Sequence, residues 1–93
     1  ITIIMNNKSW GAEKAYQRDF YNERYIGADI KSPPFHKLAE IYGAKGYHVS
    51  QLQDLKQAVS DALICDKPAI INIDVDPKAL YSFRKDSFKH RSK

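Results

Sequence analysis

The sequence predicts an α/β fold in which a parallel sheet is flanked by helices on both faces, as three layers. Runs of branched apolar residues lie near both ends of the chain and have the composition of buried strands. Between them, the order strand, helix, helix, short strand, helix, strand is typical of parallel strands joined by right-handed crossovers. With 93 residues, the chain is long enough for one small domain with a modest core.

The first strand is predicted in residues 1–5, where isoleucine and threonine dominate. The lack of polar alternation predicts that both faces of this strand are buried. Because the chain starts inside such a strand, we expect it to be the carboxyl-terminal part of a longer protein whose preceding strands lie beside it. Asn6 and Asn7 then follow at the carboxyl end, where open α/β sheets bind ligands. A simple turn is the alternative, since Asn tolerates left-handed backbone.

Two helices are predicted next. The first covers residues 12 to about 25, which are rich in good helix formers. The second begins after Pro33 and Pro34, because proline is tolerated where helical amides lack acceptors, and it ends at Gly43. The apolar residues of its predicted inward face are Phe35, Leu38, Ala39 and Tyr42.

The second half of the chain predicts a strand, a third helix and a last strand. The short strand covers residues 47–49, and Ser50 with Gln53 has the pattern of a capping box. The third helix has apolar residues at spacings of three and four: Leu52, Leu55, Val59, Ala62 and Leu63. The last strand covers residues 69–75, with one apolar face and a second face that is more polar or edge-like.

The formal net charge of +4 comes from the end of the chain. Residues 1–81 carry ten basic and ten acidic side chains, whereas residues 82–93 carry five basic side chains against Asp86. We therefore predict one domain over residues 1–81 and a basic tail over residues 82–93. This tail, with Phe83 and Phe88, has the charge and aromatic groups to bind nucleic acid, or it packs over a neighbouring subunit. The second alternative is favoured, since no basic stripe continues onto the body.

Cysteine and histidine point to no separate reactive site. The single cysteine, Cys65, excludes an internal disulfide and cannot form a thiolate zinc site alone, so we interpret it as a small buried hydrophobe. We assign no catalytic role to His36, His48 or His90. The sequence contains no apolar run long enough to cross a bilayer and no signal peptide, and a soluble cytoplasmic protein is expected.

Several motifs together indicate a family. Residues 6–14 read Asn-Asn-Lys-Ser-Trp-Gly-Ala-Glu-Lys. The pattern continues through Gln17 and residues 20–21, 24–25, 34–40, 42–46, 52–63, 66–71 and 75–77. These motifs resemble the carboxyl-terminal part of thiamine-diphosphate-dependent carboligases, the acetolactate synthase-like superfamily. Residues 10–14 and 83–89 are most similar to the sulfoacetaldehyde acetyltransferases within it. Acetolactate synthases share the frame but usually carry aliphatic residues at positions 12 and 13.

The resemblance implies thiamine diphosphate and Mg²⁺ as cofactors. In the family, an upstream Gly-Asp-Gly and a downstream Asn-Asn hold the metal on the diphosphate. Here the downstream ligands would be the side-chain oxygen of Asn7 and the carbonyl of Ser9, while Asn6 braces the turn. Magnesium prefers such hard oxygen donors. Trp10 and Gly11 would complete the cofactor-binding residues.

On the first helix, Glu13 and Gln17 follow Trp10 at helical spacing, so they are candidates to border the substrate. An ordinary, partly exposed helix face is the alternative. Lys14 and Arg18 could attract a sulfonate or phosphate, although solvated charge pairs are the commoner arrangement for such residues.

The implied reaction converts sulfoacetaldehyde and phosphate to acetyl phosphate and sulfite. Family members also need the remainder of their own chain and a second subunit, in a homodimer or homotetramer, which supplies a glutamate that activates the cofactor. Since these 93 residues contain neither the Gly-Asp-Gly half nor that glutamate, we expect the isolated fragment to be inactive. Two alternatives stay open: an acetolactate synthase-like carboligase or decarboxylase, and a stand-alone module that binds nucleic acid through the tail.

Overall fold

The structure, a computed structural model, describes residues 1–82. These residues divide into two compact units. The sheet unit contains residues 1–7 and 32–75, and the α1 unit contains residues 8–31 together with residues 76–82. The basic tail predicted from position 82 onward, including Phe83 and Phe88, lies outside the described residues except for Ser82.

The order of elements agrees with the predicted alternation. In chain order, the helices and strands are β1 (Thr2–Asn6), α1 (Gly11–Phe20), α2 (Phe35–Ile41), β2 (Lys45–Val49), α3 (Leu55–Ile64) and β3 (Ala69–Asp74). All three strands are parallel and lie in the order β1, β3, β2. A short 3₁₀ helix, Leu52–Asp54, precedes α3.

The two helices of the sheet unit lie on opposite faces of the sheet, which confirms the predicted α/β layering. Alternate residues of β2 point to opposite faces. Gly46 lies against the main chain of His36 in α2, whereas Tyr47 and Val49 pack in the core that α3 covers. The buried residues of that core are Val49, Ala58, Ala62, Ala69 and Ile71.

The predicted burial of both faces of the first strand is wrong within the described residues. Ile3 is 53% exposed and Met5 is 72% exposed. The cause is the strand order, because β1 lies at an edge of the sheet while α3 packs against β2 and β3. These side chains instead border an apolar groove that Leu52, Leu55 and Val59 line on its other side.

The last strand is central, so its predicted edge-like face is also wrong. β3 pairs with β1 on one side and with β2 on the other. As a result Asn72, whose polarity suggested an edge, is only 3% exposed. Amide side chains in a strand therefore report poorly on its position in the sheet.

Several helix boundaries differ from the predicted ones for local reasons. α1 ends at Phe20, and Asn22 and Glu23 adopt positive φ angles of 54° and 58°, which cannot continue a helix. The capping box is wrong, because a 3₁₀ helix occupies that position and no side chain caps it. Three residues of the predicted inward faces are exposed instead: Tyr42, Leu52 and Leu63.

Tyr47 and Cys65 lie against each other at the edge of the core. Cys65 is half-buried, and its thiol donates to the carbonyl of Ala62 at 3.3 Å. Loss of solvent is the main cause that raises the pKa of Tyr47, and the charge and hydrogen bond of Cys65 raise it further. The folded chain therefore holds this phenolic proton to higher pH than the unfolded chain does.

This difference predicts that stability falls at alkaline pH. The contribution of Tyr47 is fully present below the pKa of an unfolded tyrosine, about 10, and is lost as pH rises through the higher folded value. We expect Tyr47→Phe to reduce this alkaline loss, measured as the urea midpoint against pH. Tyr42→Phe is the control, because Tyr42 is 80% exposed. An equal loss in Tyr47→Phe and the unmodified chain would contradict the prediction.

Candidate functional site

The two asparagines lie at the carboxyl end of β1, as the sequence predicts. Asn6 is the last residue of the strand, is 8% exposed and is in register with Asp74 of β3. The Asn6 carbonyl accepts a hydrogen bond from the amide of Val75 at 3.1 Å, which anchors the strand end to the sheet. Asn7, half-buried, is the first residue beyond the strand. Asn7 therefore lies at the edge where open α/β sheets generally bind ligands.

The α1 unit begins with a strained residue. Lys8 has a φ of 57°, in the left-handed region that residues other than glycine rarely occupy. Such a conformation costs about 1 kcal/mol or more and persists where the surroundings enforce it, often at ligand sites. Backbone pairings enforce it here, between Lys8 and Ile30, Ser9 and Asp29, and Trp10 and Ala28.

Trp10 and Gly11 start α1. Trp10 is the residue before the helix, and its carbonyl accepts the amide of Lys14 at 2.9 Å. Trp10 is 59% exposed, so within the described residues it offers an aromatic surface rather than a packed anchor. Gly11 is the first helical residue and is half-buried.

The two substrate candidates on α1 have different surroundings. Glu13 is exposed. The Gln17 amide is engaged at both ends by Ile26, donating to its carbonyl at 2.9 Å and accepting from its amide at 3.2 Å. Gln17 therefore holds the loop after α1, and a contact of Glu13 or Gln17 with substrate stays a prediction.

Lys14 and Arg18 form ion pairs inside the α1 unit. The Lys14 ammonium bonds to Asp29 and lies 5.1 Å from the ring centre of Tyr25. Arg18 donates from Nε to Asp19 at 2.8 Å and from Nη1 to the Leu80 carbonyl at 3.2 Å. The hydrogen bond and charge of Asp19 raise the pKa of Arg18, against an opposing effect of desolvation. Both residues therefore adopt the charge pairs that the sequence analysis gave as the alternative to binding a sulfonate or phosphate.

A polar cluster in the sheet unit was missed by sequence reasoning. His36 and His48 stack with ring centres 4.8 Å apart and planes 5° apart, and His48 Nε2 lies 2.8 Å from Asp74 Oδ2. The buried atoms His36 Nδ1 and Asn72 Oδ1 have no hydrogen-bond partner among the described residues. His48 and Asn72 are register partners, a relation that only strand pairing creates.

The donor atoms near the strand end suit magnesium but do not complete a site. Asn7 and Ser9 would offer an amide oxygen and a main-chain carbonyl, which are hard donors. In residues 1–82, no group of three or more His, Cys, Asp or Glu side chains is arranged to hold a metal ion. The anionic ligand that the family motif implies, the aspartate of a Gly-Asp-Gly, is not present in these 93 residues. None of the helices between residues 1 and 82 is long and apolar enough to cross a membrane.

Comparison with known proteins identifies relatives for most of the chain. Residues 1–73 match the family model described as thiamine pyrophosphate enzyme, C-terminal TPP binding domain. Sulfoacetaldehyde acetyltransferases of Castellaniella defragrans and Alcaligenes xylosoxydans xylosoxydans are 33% and 32% identical over 89 residues, or 91% of this chain. A probable acetolactate synthase large subunit of Methanococcus aeolicus is 29% identical over 83 residues, or 88% of this chain. The chain spans only 14–15% of the length of these relatives.

Proposed function

Because the chain belongs to the thiamine pyrophosphate enzymes, through their C-terminal TPP-binding domain, we propose that it forms part of a thiamine-diphosphate- and magnesium-dependent acetyltransferase. The full protein would convert sulfoacetaldehyde and phosphate to acetyl phosphate and sulfite. Similarity to two sulfoacetaldehyde acetyltransferases over nine-tenths of the chain supports this choice of substrate. We also propose that the full protein is cytoplasmic and that it needs a second subunit. The isolated fragment is expected to be inactive.

The observation that carries the proposal is the strand end at Asn7. An amide at the carboxyl end of a parallel strand, followed by a strained Lys8, is the local structure expected of a ligand-binding turn. Asn7 and the Ser9 carbonyl would hold Mg²⁺ against the cofactor diphosphate, with a carboxylate supplied from elsewhere.

The other candidate residues would position the cofactor and the substrate and would not react themselves. Thiamine diphosphate, when bound, supplies the electron sink that this chemistry requires. The exposed indole of Trp10 would cover part of the cofactor, and Gly11 would allow its close approach. Gln17 would keep the loop after α1 in place, while the exposed Glu13 would face the substrate.

An assay of the full-length protein that contains this chain tests the substrate. With thiamine diphosphate and Mg²⁺ present, we expect sulfite release from sulfoacetaldehyde that depends on added phosphate. The second candidate is an acetolactate synthase-like carboligase, which the Methanococcus aeolicus relative favours. Consumption of pyruvate without sulfite release would replace the acetyltransferase with that candidate.

A further inference from the structure

Cationic side chains line a cleft in the α1 unit. Lys14 and Arg18 lie on α1, Tyr25 lies in the loop after α1, and Lys78 lies in the segment after β3. The cleft has a volume of about 430 Å³, which is within the range of small-molecule sites, and no carboxylate of residues 1–82 lines it. We propose that this cleft binds the phosphate group of inorganic phosphate or of a phosphate monoester.

Arg18 fixes the position of the segment that carries Lys78. The Arg18 Nη1 donates to the Leu80 carbonyl at 3.2 Å, while Nε and Nη2 donate to the carboxylate of Asp19 at 2.8 Å and 3.2 Å. The Asp19 side chain is only 5% exposed, so this ion pair is held out of water and removal of either partner would leave a charge unpaired. The charge of Arg18 is therefore balanced by a permanent partner, and Arg18 serves to build the cleft.

Lys14, in contrast, has a partner that a ligand can replace. The side chain of Lys14 is 16% exposed, whereas that of Asp29 is 73% exposed. Because Asp29 can turn back into water, this ion pair contributes little and costs little to break. A phosphate group with two negative charges gains more from the Lys14 ammonium than the single charge of Asp29 does. A sulfonate carries one charge, as a carboxylate does, and gains nothing by the exchange.

Lys78 supplies the positive charge that no described carboxylate balances. Its side chain is exposed and forms no ion pair within residues 1–82. Asp76 is the nearest acid along the chain, but its Oδ1 accepts the main-chain amide of Lys78 at 2.9 Å. The cleft therefore has a net positive charge before any ligand binds. Ammonium groups bind phosphate through short, charge-assisted hydrogen bonds.

The uncharged part of the lining consists of Tyr25, Pro77 and Leu80. The Tyr25 ring lies 5.1 Å from the Lys14 ammonium, a distance at which the ring attracts the cation and keeps it on the wall of the cleft. Its neighbour Ile26 is held by Gln17 at both its amide and its carbonyl, so this wall is fixed to α1. A monoester with a small apolar group would cover this surface, whereas inorganic phosphate would leave it to water. The cleft would bind either ligand whichever reaction the full protein catalyses.

Acetylation of lysines in the full-length protein that contains this chain tests the site. The protein is saturated with thiamine diphosphate and Mg²⁺ at about pH 8, where phosphate carries two negative charges, and is treated with N-hydroxysuccinimidyl acetate. At a concentration of inorganic phosphate ten times its Kd, we expect the acetylation of Lys78 to slow about tenfold. Lys56, exposed on α3, is the internal control and is expected to change less than about twofold.

Further ligands separate the possible sources of the phosphate group. Glycerol phosphate is expected to protect Lys78 at a lower concentration than inorganic phosphate if the site takes a monoester, and at a similar or higher one if it takes the free anion. Methanesulfonate, at the same ionic strength, is expected to protect Lys78 less than about twofold. Protection of Lys78 by methanesulfonate equal to that by phosphate would be charge screening and would overturn the proposal.

A charge reversal locates the ligand between the two lysines. In Lys78→Glu, we expect protection of Lys14 from acetylation to need at least about tenfold more phosphate, because one charge-assisted contact becomes repulsive. Lys56→Glu makes the same change on the sheet unit and is expected to have no effect. The proposal fails if phosphate leaves the acetylation of Lys78 unchanged, slows Lys56 equally, or protects Lys14 equally well in Lys78→Glu. The acetylation of the unmodified protein decides the question if Lys78→Glu does not fold.

Discussion

Gly46→Ala is expected to destabilise the sheet unit by about 3 kcal/mol, at the upper end of the range for overpacking. A Cβ at this position would overlap the carbonyl oxygen of His36 and lie 2.6 Å and 2.9 Å from the carbonyl carbon and Cα of that residue. These are backbone atoms of α2, so no side-chain rotation relieves the overlap. The helix would have to move away from β2. Urea unfolding of the full chain measures the loss.

Gly43→Ala is the matched control for this substitution. Gly43 has a φ of 72° and nothing lies within 4 Å of an added Cβ, so the cost is backbone strain alone, about 1 kcal/mol. The two glycines are three residues apart, so a comparison of the two variants distinguishes the cost of steric overlap from the cost of backbone strain. A loss below about 1 kcal/mol for Gly46→Ala would show that α2 does not pack on β2 as described.

Asn7→Ala in the full-length protein is expected to weaken magnesium-supported binding of thiamine diphosphate about 100-fold, because loss of even an outer-shell partner of a metal ligand costs about 10- to 100-fold and Asn7 would be a direct ligand. Alanine removes the amide oxygen but leaves the strand end and its hydrogen bond to Val75, which involves Asn6, unchanged. Asn7→Asp retains an oxygen donor and is expected to stay within about tenfold of the unmodified protein. Calorimetric titration with cofactor, at several Mg²⁺ concentrations, measures these affinities.

The control for Asn7→Ala is Gln53→Ala, since Gln53 is an exposed amide in the 3₁₀ helix of the sheet unit. It is expected to leave cofactor affinity unchanged. If Asn7→Ala retains full affinity with the same magnesium dependence, Asn7 is not a ligand. The assignment of the site would then fail even if the enzyme released sulfite.

Local patterns predicted the elements well where packing and propensity agree. The apolar spacing of Leu55, Val59 and Ala62 predicted α3, and the branched residues around Ile71 predicted β3. Predictions failed where a distant contact decided the outcome. Leu63 fits the helical pattern but is 71% exposed, because α3 covers only part of the sheet.

The candidate functional residues also divide into those that a local motif indicates and those that only the fold brings together. Asn7 and Ser9 were assigned as candidates through the family resemblance of a short motif, which can be recognised because its residues are consecutive in the chain. The histidine cluster was not found, since His36, His48 and Asp74 lie on three different elements. No spacing within a single element indicates that they meet.

The amino-acid sequence by itself determined the order and type of the elements and the position of the paired asparagines after the first strand. These features depend on residues that are close together in the sequence, because hydrophobic periodicity and turn propensity are local properties of the chain. Only the tertiary structure decided that β3 is central, that β1 is exposed at the edge and that His36 stacks on His48. Strand order and register arise from pairing between segments far apart in the chain, and local propensity carries no information about that choice.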